Sequence, residues 1–430
     1  MQVSVENTGK LARRLEVQIP AERVNQEISD RLKRIGKTAR LNGFRPGKAP
    51  LTVIRQQFGA QVHREVIGDL LQSSFAEAVT QKQLNPAGNP QIEPQSLGDG
   101  DGLRYVATFE VFPEVQLAPI ENIKIERTVA AVTDADVDTM IERLRSERPV
   151  YSAVDRPAVD TDRVTVDFEG SVDGVPFPGG KGDGVPVVLG QKRMLPEIEN
   201  GLLGVKAGED KEVSLTFPAD YRATELAGKT AIFKIHVKSV EASALPALDE
   251  EFFNALGVES GGLDKLKADV ADNLNRELSQ NLRARVKQAV LEALLAANTV
   301  ELPKSLVESQ IQEMQLEAMR RAGTQDVTQA PPREPFEEPA RRRVSLGLIL
   351  NEIVKQSAIT LDQARVTARL NEMAGSYGDP EALLRAYRQN ANAMRQIENL
   401  VLEDQVVDNV LSRAQVSELN SSFKDVMQLA

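Results

Sequence analysis

Eight consecutive residues, Gly43 to Pro50 (GFRPGKAP), gather two cations, one aromatic ring and two glycines. Gly43 and Gly47 let a backbone turn tightly where a Cβ would obstruct it. Arg45 and Lys48 can meet phosphate or carboxylate oxygens. Phe44 at the tip of such a loop is an apolar anchor that a partner surface would cover, and Pro46 stiffens the turn. The chemistry is recognition rather than catalysis. The surrounding sequence points the same way: from Arg31 to Arg64 there are nine Lys or Arg and no Asp or Glu, in a chain whose formal net charge is −11. A block of one sign in a chain of the other implies an anionic partner such as nucleic acid.

Familiar catalytic chemistry is missing. There is no Cys, and the two histidines, His63 and His236, lie far apart, so no zinc cluster is recognisable. Neither GxSxG nor HExxH occurs. GGKGDG at residues 179–184 lacks the spacing and the strand-to-helix context of a phosphate cradle, and reads as a flexible loop of a β domain. No cofactor, metal or ATP cycle is expected. The absence of Cys fits a reducing compartment. MQVSVENTGK has no apolar core of signal-peptide length, and no run approaches the ~18 apolar residues of a membrane span. A cytoplasmic protein without a membrane partner is the expectation.

The elements that must position the loop are legible on either side of it. Leu15, Val17 and Ile19 alternate with polar residues as a half-buried strand does, and Pro20 ends the run. Val24, Ile28, Leu32 and Ile35 set a helix over Ala21 to Lys37, and helical spacing resumes from Leu51 to Gln83. The Gly- and Pro-rich loop therefore sits at the tip between two helices. Leu103, Tyr105, Ala107, Phe109 and Val111 alternate as a second strand. After an extended linker marked by Pro113 and Pro119, Thr133 with Asp136 three residues on predicts a capped helix to about Glu147.

From about 150 to 243 the pattern changes to short alternating runs: Val164, Val166, Phe168; then Val213, Leu215, Phe217; then Phe233, Ile235, Val237. One helical segment, Leu195 to Leu203, interrupts them, so this is a small antiparallel β domain with one short helix. Beyond Pro246 the spacing is helical. One helix of nearly 40 residues runs through Leu263 and Val290, a second follows Pro303, QAPPREPFEEP (329–339) reads as a loop, and further helices cover about Ala340 to Ser357, Leu361 to Ala374, Pro380 to Gln389 and Ala391 to Val416. The fold class is multidomain α+β.

GFRPGKAP matches the docking signature GFR-x-GK-x-P of trigger factor, the bacterial ribosome-associated chaperone, at Gly43, Phe44, Arg45, Gly47, Lys48 and Pro50. VTVDFEGSVDGVPF (164–177), VVLGQKRMLPEIENGLLGVKAGE (187–209), FPADY (217–221) and AIFKIHVKSVE (231–241) resemble the FKBP-type peptidyl-prolyl isomerases, in order and over the whole middle domain. LPALDEEFFNALG (245–257) and the helices after it are similar to the trigger factor C-terminus. The resemblance implies a ribosome-binding domain over 1–112 and a linker and helix over 113–149 that contribute to the C-terminal body. It implies an isomerase domain over 150–243, and an all-α substrate cradle with helical arms over 244–430.

It further implies that Gly43, Phe44, Arg45, Pro46, Gly47 and Lys48 bind the large ribosomal subunit near the exit tunnel. Phe168, Phe177, Met194, Leu195, Ile198, Tyr221 and Phe233 would form a proline-binding catalytic pocket. Clients would be nascent and unfolded polypeptides, held without ATP, and the free protein could pair with a second copy. Two positions depart from the isomerase pattern: Ile198 stands where a large aromatic floor is usual, and Pro178 where an acid usually follows Phe177. Those departures favour the alternative of a chaperone whose β domain binds peptide with little isomerase activity. A nucleic-acid-binding module built on the basic stretch is a third reading, and predicts RNA affinity with a steep salt dependence.

Overall fold

The computed structural model describes residues 1–39, 41, 44, 48–97, 102–191, 194–218, 221, 223, 225–324, 326, 330–375 and 379–428. The first strands are β1 (Gln2–Asn7) and β2 (Ala12–Ile19), followed by helices α1 (Ala21–Thr38) and α2 (Leu51–Gln81), then β3 (Gln91–Leu97) and β4 (Leu103–Glu110). The antiparallel sheet runs β1-β2-β4-β3. Leu15, Val17 and Ile19 of β2 and Leu103, Tyr105, Ala107 and Phe109 of β4 bury against Val24, Ile28 and Leu32 of α1 and Ile54, Val62 and Leu70 of α2. Alternation located both central strands. It did not reveal the edge strands. β3 carries Pro94, which a sheet tolerates at an edge, and its register shifts between Pro94 and Ser96. The buried Tyr105 hydroxyl and Ser74 Oγ satisfy each other at 2.9 Å.

Next come β5 (Lys124–Val129) and α3 (Asp134–Ser146). The predicted cap of α3 is present: Thr133 Oγ1 accepts from the Asp136 N–H, and the Asp136 carboxylate accepts from the Thr133 N–H at 2.9 Å. The β domain follows: β6 (Val150–Ala153), β7 (Arg163–Val172), β8 (Val175–Val188), α4 (Pro196–Leu202), β9 (Asp210–Thr216) and β10 (Thr230–Ala244). Its antiparallel sheet has the order β6-β10-β7-β8, with β9 also paired to β10. The 15-residue β10 is the spine: β7 lines one side of it, and β9 then β6 line the other. GGKGDG, expected to be a flexible loop, is instead part of β8 and pairs with β7.

The helices are α5 (Glu250–Ala255), the 36-residue α6 (Gly262–Ala297), α7 (Lys304–Arg321), α8 (Glu334–Gln356), α9 (Gln363–Ala374), α10 (Pro380–Gln389) and α11 (Ala391–Arg413). Two details correct the sequence reading. Helix α8 begins inside the segment 329–339 that was expected to be a loop, with Pro335 in its first turn and Pro339 within it. Pro339 gives up one backbone donor, and packing of Phe336 and Ala340 against Val307 and Ile311 holds the helix nevertheless. Helix α11 stops at Arg413, and Gln415–Asn420 forms β11, which pairs with β5. A strand thus interrupts the region expected to be all-α. A last helix, α12, spans Phe423–Met427.

The chain forms two compact units. One joins Met1–Thr128 with Ala284–Leu419; the other joins Val129–Arg283 with Asn420–Ala430. Helix α6 contributes to both. Its Leu266, Val270 and Leu274 pack with Val137 and Ile141 of α3, Phe252 and Phe253 of α5, and Phe423 and Val426 of α12. Its Val290 and Leu294 pack with Ile120, Ile123, Ile349, Ile353 and Val410. Just past α6 the buried Asn298 fixes the linker: Ala118 N–H donates to its Oδ1 at 2.7 Å, while its amide donates to Leu294 O at 2.8 Å. Among the described residues no helix is long and apolar enough to cross a membrane.

Candidate functional site

Five parts of the β domain converge on one cavity of about 390 Å³. Strand β7 supplies Val166 and Phe168, and β8 supplies Phe177, Gly179 and Val187. Met194, Leu195 and Ile198 come from the turn into α4 and from α4 itself, and Phe217, Tyr221, Phe233 and Ile235 come from the segment after β9 and from β10. All seven pocket residues expected from the sequence are therefore brought together. Val166, Gly179, Val187, Phe217 and Ile235 were not assigned to it, although Phe217 stood within FPADY.

The walls are a nest of rings. Phe233, buried at 6% exposure, has its centroid 5.9 Å from that of Phe168 and 6.0 Å from that of Phe177 in an edge-to-face arrangement. Phe217 lies 6.0 Å from Phe177 and 4.6 Å from Tyr221. Ile198 is buried and aliphatic, and Pro178 is exposed and absent from the lining. The Tyr221 side chain, 36% exposed, carries the one polar side-chain group among the described lining residues. The described lining residues include no acid or base. The cavity can desolvate an apolar ring and offer one hydroxyl to a carbonyl.

Glycines make room for these rings. A Cβ on Gly170 would stand 2.7 Å from the Phe233 ring, one on Gly180 3.0 Å from the Phe177 ring, and one on Gly182 2.7 Å from the Phe168 ring. The glycine-rich run is thus the bed on which the aromatic wall lies. A G182A variant should push Phe168 into the cavity, at an overpacking cost of about 1–3 kcal/mol. Proline-peptide isomerisation should fall in a protein that circular dichroism shows to be folded; an unchanged rate would show that the Phe168 position is immaterial.

The second site lies at the tip between α1 and α2. Phe44 is 39% exposed, and its N–H donates to Leu41 O at 3.1 Å. Lys48 is exposed, and Pro50 caps α2, its carbonyl accepting from Val53 and Ile54. Gly43, Arg45, Pro46 and Gly47 lie outside the described residues. The basic block is less uniform in space than along the chain: Arg31 pairs with Glu65 at 3.3 Å and reaches Asp69 at 4.0 Å, and Lys33 pairs with Asp30 at 2.9 Å. Among the described residues of the block Arg34, Lys37, Lys48, Arg55 and Arg64 form no ion pair, and all but Arg64 lie toward the tip.

Residues 1–144 match the family model "Bacterial trigger factor protein (TF)", residues 262–412 match its C-terminal counterpart, and residues 154–238 match "FKBP-type peptidyl-prolyl cis-trans isomerase". The chain is 47% identical over 427 residues to "Trigger factor" of Thioalkalivibrio sulfidiphilus, spanning 99% of this chain and 98% of that relative. It belongs to the trigger factor family. "Trigger factor" of Pseudomonas putida is 46% identical over 430 residues, spanning 100% of this chain and 98% of the relative. A solved structure, "Promiscuous Substrate Recognition in Folding and Assembly Activities of the Trigger Factor Chaperone", aligns with a TM-score of 0.54 at 20% identity over 96% of this chain and 99% of that one, a likeness of fold. This trigger factor family member is a chaperone that carries an FKBP-type peptidyl-prolyl isomerase domain.

Proposed function

We propose that the chain works in the cytoplasm on the large ribosomal subunit beside the exit tunnel. There it shields emerging polypeptides without ATP and isomerises their X-Pro bonds in the ring-lined pocket. The observation that carries the placement is the exposed Phe44 at the α1–α2 tip, with the exposed Lys48 close by in sequence and in no ion pair among the described residues. An apolar anchor within a basic surface suits a nucleoprotein better than free water. Away from the ribosome, exposed apolar surface is free to pair with a second copy, which a concentration series in sedimentation velocity would register.

Isomerisation needs no proton transfer. The planar X-Pro amide is held by resonance, with a barrier of about 18–20 kcal/mol, and the twisted state has lost that resonance and is less polar. A dry wall formed by Phe168, Phe177, Met194, Leu195, Ile198 and Phe233 binds the twisted proline better than the planar one, which is the differential binding that lowers a barrier. The Tyr221 hydroxyl at the rim can hold a substrate carbonyl in place.

Stalled nascent chains carrying a photoreactive residue test the location. Chains that have just cleared the tunnel should crosslink to the wild-type protein. If they crosslink only after release from the ribosome, the exit-tunnel placement is wrong.

A further inference from the structure

Four polar or charged residues are buried among the described residues: Ser74, Asp162, Glu199 and Asn298. Ser74 and Asn298 satisfy neighbours in other cores. Asp162 accepts from Arg156 at 2.7 Å and from the Val159 N–H at 2.9 Å, closing a turn of the β domain. Glu199 is different because of where its carboxylate reaches. It sits on α4 next to Ile198, is 7% exposed, and accepts the Gly190 N–H at 3.2 Å through one oxygen and the Met194 N–H at 3.1 Å through the other.

We propose that Glu199 is a positioning residue for the isomerase: its carboxylate clamps the Gly190 and Met194 amides to α4, and so sets where Met194, Leu195 and Ile198 stand in the pocket wall. The proposal rests on the reading that these three residues wall the isomerase site. A carboxylate can take two backbone donors at once, and the charge strengthens both bonds. A clamp is useful here because the backbone at Gly190 is unusual. Gly190 has φ +81°, and a Cβ there would meet Asp160 Oδ1 at 2.1 Å, so this backbone is fixed in a conformation that only glycine adopts easily. Between the two clamped amides the chain must pass from β8 into α4, and it delivers Met194 to the cavity immediately after the second. Glu199 itself is not among the cavity's lining residues. Its effect on the substrate is exerted through the wall, where a displacement of about 1 Å is enough to weaken a fitted transition state.

Glu199→Gln is nearly isosteric but turns an amide NH₂ toward either the Gly190 or the Met194 N–H, so of these two bonds it keeps one and loses the other. Glu199→Ala loses both of these. In the full-length protein, assayed below its unfolding transition, E199Q should lower kcat/KM for a proline peptide by about ten-fold. E199A should lower it further, with faster hydrogen exchange at the Met194 amide and unchanged exchange in β7 and β10. A structural role alone would lower the unfolding midpoint and leave kcat/KM of the folded protein at the wild-type value, and that result overturns the proposal. Unaltered exchange at Met194 overturns it too, whatever the rate. Phe233→Ala serves as the control: if F233A keeps full activity, the pocket reading fails and this proposal falls with it. If F233A is inactive and E199Q is not, only the proposal falls.

Discussion

An F233A variant should lose most of its isomerase activity, the largest single-residue effect expected in the β domain. Phe233 is in ring contact with Phe168 and Phe177, and Gly170 opposite it has no side chain with which to fill a void. Its removal would take away the partner that two other wall residues lean on. Truncating a buried Phe costs about 3–5 kcal/mol, so the β domain must be shown to remain folded at the assay temperature. Protease-coupled isomerisation of a proline peptide, corrected for the folded fraction, is then the deciding measurement. We expect kcat/KM to drop by well over ten-fold, because a wetted, widened pocket no longer favours the less polar twisted amide. Y221F separates hydroxyl from wall. Tyr221 is partly exposed, so its change should leave stability nearly intact and lower the rate less. A folded F233A protein with wild-type kcat/KM would remove catalysis from this pocket.

How much of this could be read in the sequence depends on what each element shows to water. Strands β2 and β4 and helix α1 each bury one face, so their periods of two and 3.6 are written in Leu15, Val17 and Ile19, or in Val24, Ile28 and Leu32. Edge strands carry a weaker contrast: β1 half-buries only Val3 and Val5, β11 is exposed at every position, and β3 at most of its length. Helix α8 begins early because Phe336 finds a partner in another helix, which local punctuation by proline does not encode. GGKGDG misled for a related reason. Glycine is a turn former by default, but in β8 it answers to aromatic rings that arrive from Phe168 and Phe177, and only the folded pocket brings those together. The pocket lining followed the same rule. Alternation marked Phe233 as buried without saying what it faces, and assignment of the set came from the order of motifs. Phe217 was passed over although it lies four residues before Tyr221 and stacks against it. Glu199 gave no signal at all, since one acid among 63 is unremarked until its carboxylate is seen out of water.

Replacing Phe44, Arg45 and Lys48 together by Ala should release the protein from ribosomes, and the salt dependence of that release should say which side chain does what. A buried aromatic anchor is worth about 2 kcal/mol or more when truncated, close to a thirty-fold loss of affinity. The two cations add an electrostatic share that depends on ionic strength, and each phosphate contact removed should flatten the salt slope by about one. Co-sedimentation across a salt series distinguishes these. F44A alone should weaken binding by a similar factor at every salt concentration, because the loss is apolar. K48A should matter most at low salt and leave a shallower slope. Arg34, Lys37 and Arg55, unpaired among the described residues, remain in both variants and should preserve weak, salt-sensitive attraction to any RNA. Binding of the triple variant that matches wild type would sink the docking assignment. Binding that depends on salt alone, with F44A indistinguishable from wild type, would instead make the tip a general nucleic-acid surface. The expected pattern is a steering charge that brings the domain to the ribosome and a single ring that holds it at one place.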